Sequence, residues 1–158
     1  MKIIILGAGQ VGGTLAEHLA HEENDITVVD TDTGRLRELH NRLDIRTVTG
    51  PASYPMVLRQ AGGEDADMLI AVTQSDEVNM IACQIAHSLF DITTKIARVR
   101  KQGYLDPKWM NLYTRENMPI DVIISPEREV ARAVSSRLQV PGTFDMISLV
   151  NDKVKLVG

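Results

Sequence analysis

A glycine-rich segment near the start of the chain constrains its fold more than any other feature. Gly7-Ala8-Gly9-Gln10-Val11-Gly12 fits the pattern GxGxxG and directly follows the apolar run Lys2–Leu6. After it, apolar residues recur at helical spacing, and the run Ile26–Val29 comes next. The glycines therefore lie between a strand and the helix that it enters, which is the context in which this pattern has structural meaning.

The same alternation continues along the chain. Further strands are predicted near Ile45–Thr49, Met68–Val72, Lys95–Val99 and Val122–Ile124. Helices are predicted at Arg35–Leu43, Pro55–Ala61, Asp76–Phe90 and Pro126–Leu138, with a short helix near Lys108–Thr114. Short apolar strands joined by helices form parallel sheets covered on both faces. We therefore predict an α/β, doubly wound, Rossmann-like fold with six strands in the order 3-2-1-4-5-6.

The last residues follow a different pattern. Pro141-Gly142 breaks the chain, and Asp145–Val150 and Lys153–Val157 flank a turn at Asn151-Asp152. An isolated hairpin is marginal in water, so this β extension needs a surface to pack on. We predict a nucleotide-binding domain over residues 1–140 and, over 141–158, the truncated start of a C-terminal lobe. Docking of the hairpin on the sheet or on another copy of the chain is the alternative.

Composition excludes several classes of function. The 158 residues carry 17 Lys plus Arg against 21 Asp plus Glu, a net charge of −4, with one Trp, three Tyr and two Phe. This composition provides neither a basic surface nor a stacking platform for nucleic acid. The longest apolar run is far below the ~20 residues of a membrane span, so no direct membrane insertion is expected. The single cysteine, Cys83, cannot form an internal disulfide, which favours a cytoplasmic location.

The glycine segment has the features of a phosphate-binding turn. Gly7 allows the tight turn, Gly9 leaves room for a pyrophosphate, and Gly12 lets helix and strand approach closely. The amides of Gln10 and Val11 then point at the phosphates from the helix N-terminus. The alternative is that the glycines only tighten a strand-to-helix turn.

Asp30 indicates which nucleotide the glycine segment would bind. It ends the second strand ~20 residues beyond the glycines, where a carboxylate accepts hydrogen bonds from ribose hydroxyls. A carboxylate there also repels a 2′-phosphate, so NAD(H), ATP or ADP is favoured over NADP. Thr31 is included in the predicted site. Arg35 either reaches the adenine side or the 2′ region of the ligand, or is an ordinary solvated arginine.

Two more strand ends contribute candidate residues. The turn Gly50-Pro51-Ala52 follows the third strand and either flanks an adenine or is a simple turn. Thr73 ends the fourth strand and is a ligand candidate, whereas Ser75 and Asp76 are expected to cap the next helix.

Two arginines share a face of the fifth strand. Arg98 and Arg100 are separated by one residue, so their side chains point the same way. An arginine at the carboxyl end of a parallel strand needs a partner, either a phosphate or a helix acid. We predict a phosphate for Arg98 and a helix acid for Arg100.

No catalytic or metal-binding constellation is recognised. Tyr104 and Lys108 match a YxxxK pattern, but Pro107 between them disfavours the helix that the pattern needs. His18 and His21 lack a third ligand, and Cys83 lies at the spacing of a core residue.

The combined motifs resemble the TrkA N-terminal, or RCK/KTN, family. The residues that carry the resemblance are Gly7–Gly12, Val28–Asp32, Arg35-Leu36, Ala66-Asp67, Thr73–Glu77, Asn79-Met80, Cys83 and Ile96–Arg100. The resemblance implies ligand contacts at Gly7, Gly9, Gln10, Val11, Asp30, Gly50–Ala52, Thr73 and Arg98. Gly50-Pro51-Ala52 departs from the family, because many relatives carry an acidic or amide residue after the glycine.

The resemblance also implies a function. Members are cytoplasmic, nucleotide-sensing regulatory subunits of potassium uptake, peripheral to the inner face of the cell membrane. They bind NAD(H) or ATP/ADP, assemble as dimers or larger homo-oligomers, and act on a membrane potassium transporter subunit. The expectation is a regulatory protein and not an enzyme, and the alternative is the cofactor domain of an NAD-dependent oxidoreductase.

Overall fold

The computed structural model describes residues 1–126, residues 128, 130, 131, 134 and 135, and the backbone of two strands nearer the end. Residues 1–124 form one compact unit and residues 125–158 a second. Six strands belong to the first unit: β1 (Lys2–Leu6), β2 (Asp25–Asp30), β3 (Arg46–Thr49), β4 (Met68–Ala71), β5 (Thr94–Arg98) and β6 (Val122–Ile124). Its four α-helices are α1 (Gln10–Ala20), α2 (Thr33–Arg42), α3 (Pro55–Gln60) and α4 (Asp76–Phe90).

The strands form one parallel sheet in the order β3-β2-β1-β4-β5-β6. Central β1 pairs with β2 through Ile5 opposite Val28, and with β4 through Ile5 opposite Ile70. The order reverses between β1 and β4, which opens a crevice at the carboxyl edge of the sheet. The predicted doubly wound fold and its strand order are confirmed.

Two apolar layers cover the sheet. On one face, Ile3, Ile5 and Val28 pack with buried residues of α1 and α2, such as Ala16 and Leu36. On the other face, Ile4, Leu6 and Leu69 pack with α3 and α4, including Leu58 and Cys83. Because both faces are covered, the strands are apolar on both sides, and the sequence has continuous apolar runs there.

The predicted elements agree with the structure to within two residues in the first unit, with one difference of type. The segment Pro107–Tyr113 is a 3-10 helix and not an α-helix. Asp106 stands before it in extended conformation and accepts a hydrogen bond from the amide of Lys108 at 2.9 Å. Pro107 starts this tighter helix, as proline does at the first position of a helix.

The second unit contains an antiparallel hairpin of β7 (Met146–Leu149) and β8 (Val154–Val157), as predicted. Residues 126, 128, 130, 131, 134 and 135 are helical, and the rest of the predicted helix Pro126–Leu138 lies outside the described residues. The predicted domain boundary between residues 140 and 141 also lies outside them. Among the described residues, none of the helices is both long and apolar enough to span a bilayer.

Candidate functional site

A cleft of about 310 Å³ lies at the carboxyl edge of the sheet, where the strand order reverses. Its walls come from the ends of the first four strands and from the starts of α2 and α4. The lining residues are Gly7, Gly9, Val29, Asp30, Thr31, Arg35, Gly50, Pro51, Ala52, Ser53, Val72, Thr73, Gln74, Ser75 and Val78. The predicted site residues Gly7, Gly9, Asp30, Thr31, Gly50, Pro51, Ala52 and Thr73 are therefore brought together.

The glycines of the turn have three different physical roles. Gly7 has a φ of +107°, and a Cβ on it would lie 3.1 Å from the backbone of Thr73. A Cβ on Gly12 would lie only 1.8 Å from the carbonyl oxygen of Gly7. Around Gly9, by contrast, no atom lies within 4 Å of a built Cβ. Gly7 and Gly12 are thus required by the fold itself, and the open space beside Gly9 is available to a ligand.

The first turn of α1 faces this space. Gly9 precedes the helix without a side-chain cap, and the first helical hydrogen bond runs from the amide of Gly13 to the carbonyl of Gly9 at 2.8 Å. The amides of Gln10, Val11 and Gly12 consequently have no acceptor within the helix. Together with the helix dipole, they favour an anion at this end.

Asp30 is fixed in position by two backbone amides. Its Oδ2 accepts a hydrogen bond from the amide of Ala8 at 2.6 Å, and its Oδ1 accepts one from the amide of Asp32 at 2.8 Å. The half-buried carboxylate keeps further lone pairs for a hydroxyl donor, because each oxygen accepts more than one hydrogen bond. Sequence analysis predicted the position of Asp30 but not its bond to the glycine turn.

Thr73 lines the cleft, but its polar groups are already bonded. Its amide and its hydroxyl both donate to Oδ1 of Asn79, at 2.9 and 2.6 Å. The Asn79 side chain is fully buried and donates in turn to the carbonyl of Arg98 at 2.9 Å. Asn79 is a residue whose role sequence analysis missed. The available signal was an amide at the same helical spacing as the core residues Cys83 and Ala86.

Asp76 is more than the helix cap that sequence analysis expected. Asp76 lies in the first turn of α4, as predicted, and it is also buried, with only 1% of its surface exposed. Its Oδ2 accepts hydrogen bonds from the amides of Arg100 and Lys101 at 2.9 and 2.8 Å, and its Oδ1 lies 3.6 Å from Nε of Arg100. The predicted pairing of Arg100 with a helix acid is confirmed, and so is capping by Ser75, which accepts from the amide of Val78.

The remaining candidates lie in or beside the cleft. Arg35 lines it and pairs with Asp32, with 3.4 Å between Nε and Oδ2. Packing alone favours glycine at position 50, because a Cβ there would lie 2.7 Å from Cγ2 of Val57. Arg98 ends β5 as predicted, but it is not among the residues that line this cleft. Its contact with a phosphate stays a prediction.

The motifs dismissed on sequence grounds have structural roles here. Burial raises the pKa of the Cys83 thiol to about 12, so Cys83 is a core residue and not a nucleophile. The Tyr104 hydroxyl donates to Oε1 of Glu77 at 3.2 Å, and Asp106 separates the 3-10 helices that carry Tyr104 and Lys108. In the part of the chain that the structure describes, no group of three His, Cys, Asp or Glu side chains is arranged to hold a metal ion.

A second polar cluster lies at the opposite, amino end of β5. Lys95 is 3% exposed, and its Nζ lies 2.9 Å from Oδ2 of Asp121 and 3.0 Å from the carbonyls of Ile92 and Thr93. Partial burial acts to raise the pKa of Asp121, but the hydrogen bonds and charge of Lys95 outweigh it and hold that pKa below its usual value. These bonds satisfy the three donors of the lysine, so the cluster is a structural anchor.

The fold and the cleft define a class, the Rossmann-like domains with a glycine turn at the crevice. Within it, this chain belongs to the TrkA-N domain family, whose model matches residues 3–126. The Trk system potassium uptake protein TrkA of Halomonas elongata is 66% identical over 157 residues, and that of Azorhizobium caulinodans is 52% identical over 158. The alignments cover 99% and 100% of this chain but 34% of each relative, so the chain spans about a third of their length.

Solved structures share the fold. The TrkA-N domain of the Escherichia coli inner membrane protein YbaL superposes with a TM-score of 0.74 at 24% identity, covering 87% of this chain and 96% of that one. The GsuK channel bound to NAD gives 0.73 at 19% identity, covering 95% and 25%. The Shewanella denitrificans Kef C-terminal domain in its AMP-bound form gives 0.67 at 16% identity, covering 91% and 84%.

Proposed function

We propose that the chain is the nucleotide-sensing domain of a regulatory subunit of potassium uptake. It binds an adenine nucleotide, NAD(H) or ATP/ADP, in the cleft over the glycine turn. The observation that carries this proposal is the bond between Asp30 and Ala8. It holds a ribose-binding carboxylate beside the open space at Gly9 and the unbonded amides of α1.

Each part of the nucleotide has a matching surface. The amides of Gln10, Val11 and Gly12 bind the phosphates, because they have no acceptor within α1 and lie at the positive end of its dipole. Asp30 accepts from the ribose hydroxyls, and Gly50-Pro51-Ala52 flanks the adenine. Thr73 and Thr31 complete the wall, and Arg98 reaches the phosphates from the end of β5. The adenine nucleotides found on the GsuK and Kef domains are of the same chemical class, which supports this assignment.

The names of the relatives support a potassium-uptake role. Both relatives described above are Trk system potassium uptake proteins, and the match covers nearly the whole of this chain. We infer a membrane potassium transporter subunit as the partner, with the domain in the cytoplasm, peripheral to the inner face of the cell membrane. The domain works as a dimer or larger homo-oligomer, and it acts by changing its assembly and not by turnover.

The experiment that tests this function is the identification of the bound nucleotide. The purified chain is denatured, and the released small molecules are identified by mass spectrometry, followed by calorimetric titration of each candidate. We expect an adenine nucleotide that binds saturably to the folded chain. Absence of binding by NADH, ATP and ADP alike contradicts the proposal. Steady oxidation of NADH with a small carbonyl compound would instead support the oxidoreductase alternative.

A further inference from the structure

The edge of the cleft at the end of β4 is bonded to a segment that lies much later in the sequence. Residues 73–75, which we call the lip, line the cleft on that side. The carbonyl of Gln74, in the middle of the lip, accepts a hydrogen bond from the guanidinium of Arg100. Arg100 is the first of residues 100–105, which we call the connector. A displacement of Gln74 therefore acts directly on the connector.

A buried carboxylate fixes the backbone at the start of the connector. Asp76 is 1% exposed, and its Oδ2 accepts hydrogen bonds from the amides of Arg100 and Lys101. Bonds to an ionised acceptor are strong, and breaking them would leave a buried charge poorly compensated. The bond between the Arg100 guanidinium and Gln74, by contrast, lies at the exposed surface. The connector thus has a fixed backbone anchor on α4 and an exchangeable side-chain bond to the lip.

The connector leads into a weakly anchored element. It is followed by the 3-10 helix Pro107–Tyr113, and none of the seven residues of that helix is buried. The Tyr113 hydroxyl donates to the carbonyl of Tyr104, in the connector, at 2.9 Å. A 3-10 helix of this length has poorer hydrogen-bond geometry than an α-helix, and elements that bury little rearrange at low cost. A small movement of the connector is therefore sufficient to rearrange this helix.

We propose that occupancy of the cleft is transmitted through the bond between Gln74 and Arg100 to the 3-10 helix Pro107–Tyr113, whose arrangement it changes. This inference rests on the proposed nucleotide-binding function and deepens it, since it names the route by which the state of the cleft reaches a separate surface. Asp76 is the fixed point of the route, and Gln74 is the point that a ligand displaces. Because coupling between two sites is reciprocal, a partner that binds the 3-10 helix would change the affinity of the cleft for its ligand.

The test uses the single tryptophan of the chain. Trp109 lies in the 3-10 helix with 56% of its surface exposed, and it is outside the lining of the cleft. ADP is titrated into the intact chain, and calorimetry and tryptophan emission are recorded on the same preparation. ADP is used because reduced nicotinamide absorbs the light that tryptophan emits. We expect the emission to change and to saturate with the dissociation constant that calorimetry gives. Calorimetric binding without a change in emission overturns the inference.

A variant tests the route itself. Arg100→Gln removes the guanidinium but keeps the backbone amide that Asp76 holds. We expect this variant to bind ADP with a dissociation constant within about threefold of that of the unmutated chain, and to lose more than half of the emission change. Arg59→Gln is the matched control, because it removes an arginine that pairs with Glu64 outside the connector, and it should keep the full change.

Three results of the variant series overturn the inference. One is a full emission change in Arg100→Gln, and another is a larger loss of its affinity, which would make Arg100 a ligand contact. The third is an emission change whose size depends on protein concentration, because it would then arise from assembly between copies. If calorimetry detects no binding of ADP, ATP or NADH to the folded, unmutated chain, the proposed function itself fails, which is a distinct outcome.

Discussion

Oδ2 of Asp30 lies 2.6 Å from the amide nitrogen of Ala8, and this hydrogen bond joins the end of β2 to the glycine turn. The second oxygen of the same carboxylate accepts from the amide of Asp32, the residue before α2. Three segments that surround the cleft are therefore held together by one side chain. For the proposed nucleotide ligand, the carboxylate is therefore already oriented, which reduces the ordering cost of binding.

The first prediction concerns Asp30. Asp30→Ala removes the charged acceptor that we propose for the ribose hydroxyls, and it should weaken NADH binding by ~1.5–3 kcal/mol, or about 10- to 150-fold. Calorimetry measures the loss, with Asp44→Ala as the control. Because the carboxylate also repels a 2′-phosphate, the unmutated chain should bind NADPH much less tightly than NADH. Equal affinity for NADH and NADPH would contradict the assignment of Asp30.

The second prediction separates the glycines by role. Gly12→Ala brings a Cβ against the carbonyl of Gly7 and should lower the free energy of unfolding by ~1–3 kcal/mol or more. Gly9→Ala meets no atom within 4 Å, so it should cost at most ~1 kcal/mol of stability while blocking nucleotide binding.

Gly13→Ala is the matched control for this pair. Its Cβ would lie 3.5 Å from Cδ2 of Leu39, an ordinary contact, and alanine favours the helix by up to ~1 kcal/mol. Denaturant unfolding and calorimetry on the three variants give the comparison. A Gly9→Ala variant that binds nucleotide as well as the unmutated chain would show that the ligand does not approach this turn.

The third prediction concerns Arg98. If its guanidinium contacts a phosphate, Arg98→Gln weakens nucleotide binding more than it lowers the melting temperature of the ligand-free chain, because charge-assisted contacts exceed surface ion pairs in strength. Thermal unfolding and calorimetry are measured on the same preparation. Unchanged affinity with a large drop in melting temperature would assign Arg98 to the structure of the β5 end.

The fourth prediction is a pH dependence at Asp121. Its pKa is lowered in the folded chain, so its contribution to stability is complete above the pKa of the unfolded carboxyl, ~4, and is lost as the pH falls through the lowered value. Asp121→Asn should cost ~1–3 kcal/mol at neutral pH, because the buried Lys95 loses its charge partner. The difference from the unmutated chain should shrink in acid. Denaturant unfolding from pH 7 down to ~3 measures it, and a constant difference would contradict the pairing.

The fifth prediction concerns assembly. A ligand shifts an equilibrium between two arrangements only if it binds them with different affinities. NADH and ATP at saturation should therefore produce different dimer or larger populations, measured by small-angle scattering over a range of protein concentrations. Identical scattering with both nucleotides would count against a switch.

The local pattern of residues determined the elements and the strand order. Apolar runs predicted β1 and β2, and helical spacing predicted α1, because each depends on contacts close in sequence. The glycine turn and Asp30 could be placed from sequence for the same reason. A strand, a tight turn and a helix in succession return the chain to the sheet, so the end of β2, where Asp30 lies, is expected beside the glycine turn. The structure confirms these elements and brings Asp30 to the glycine turn.

The tertiary structure alone decided which polar side chains join α4 to the end of β5 and the segment after it. Asp76 and Ser75 look alike as helix-capping residues in the sequence, yet only Asp76 is buried against the amides of Arg100 and Lys101. Asn79 likewise joins Thr73 to Arg98. The bonds from Asp76 to Arg100 and Lys101, and from Asn79 to Arg98, connect residues 19 to 25 positions apart, between α4 and the end of β5. Propensity and periodicity describe only residues that are near neighbours in the sequence. The burial of Asp76 depends on contacts with residues beyond the next strand, so it could be recognised only from the packed structure.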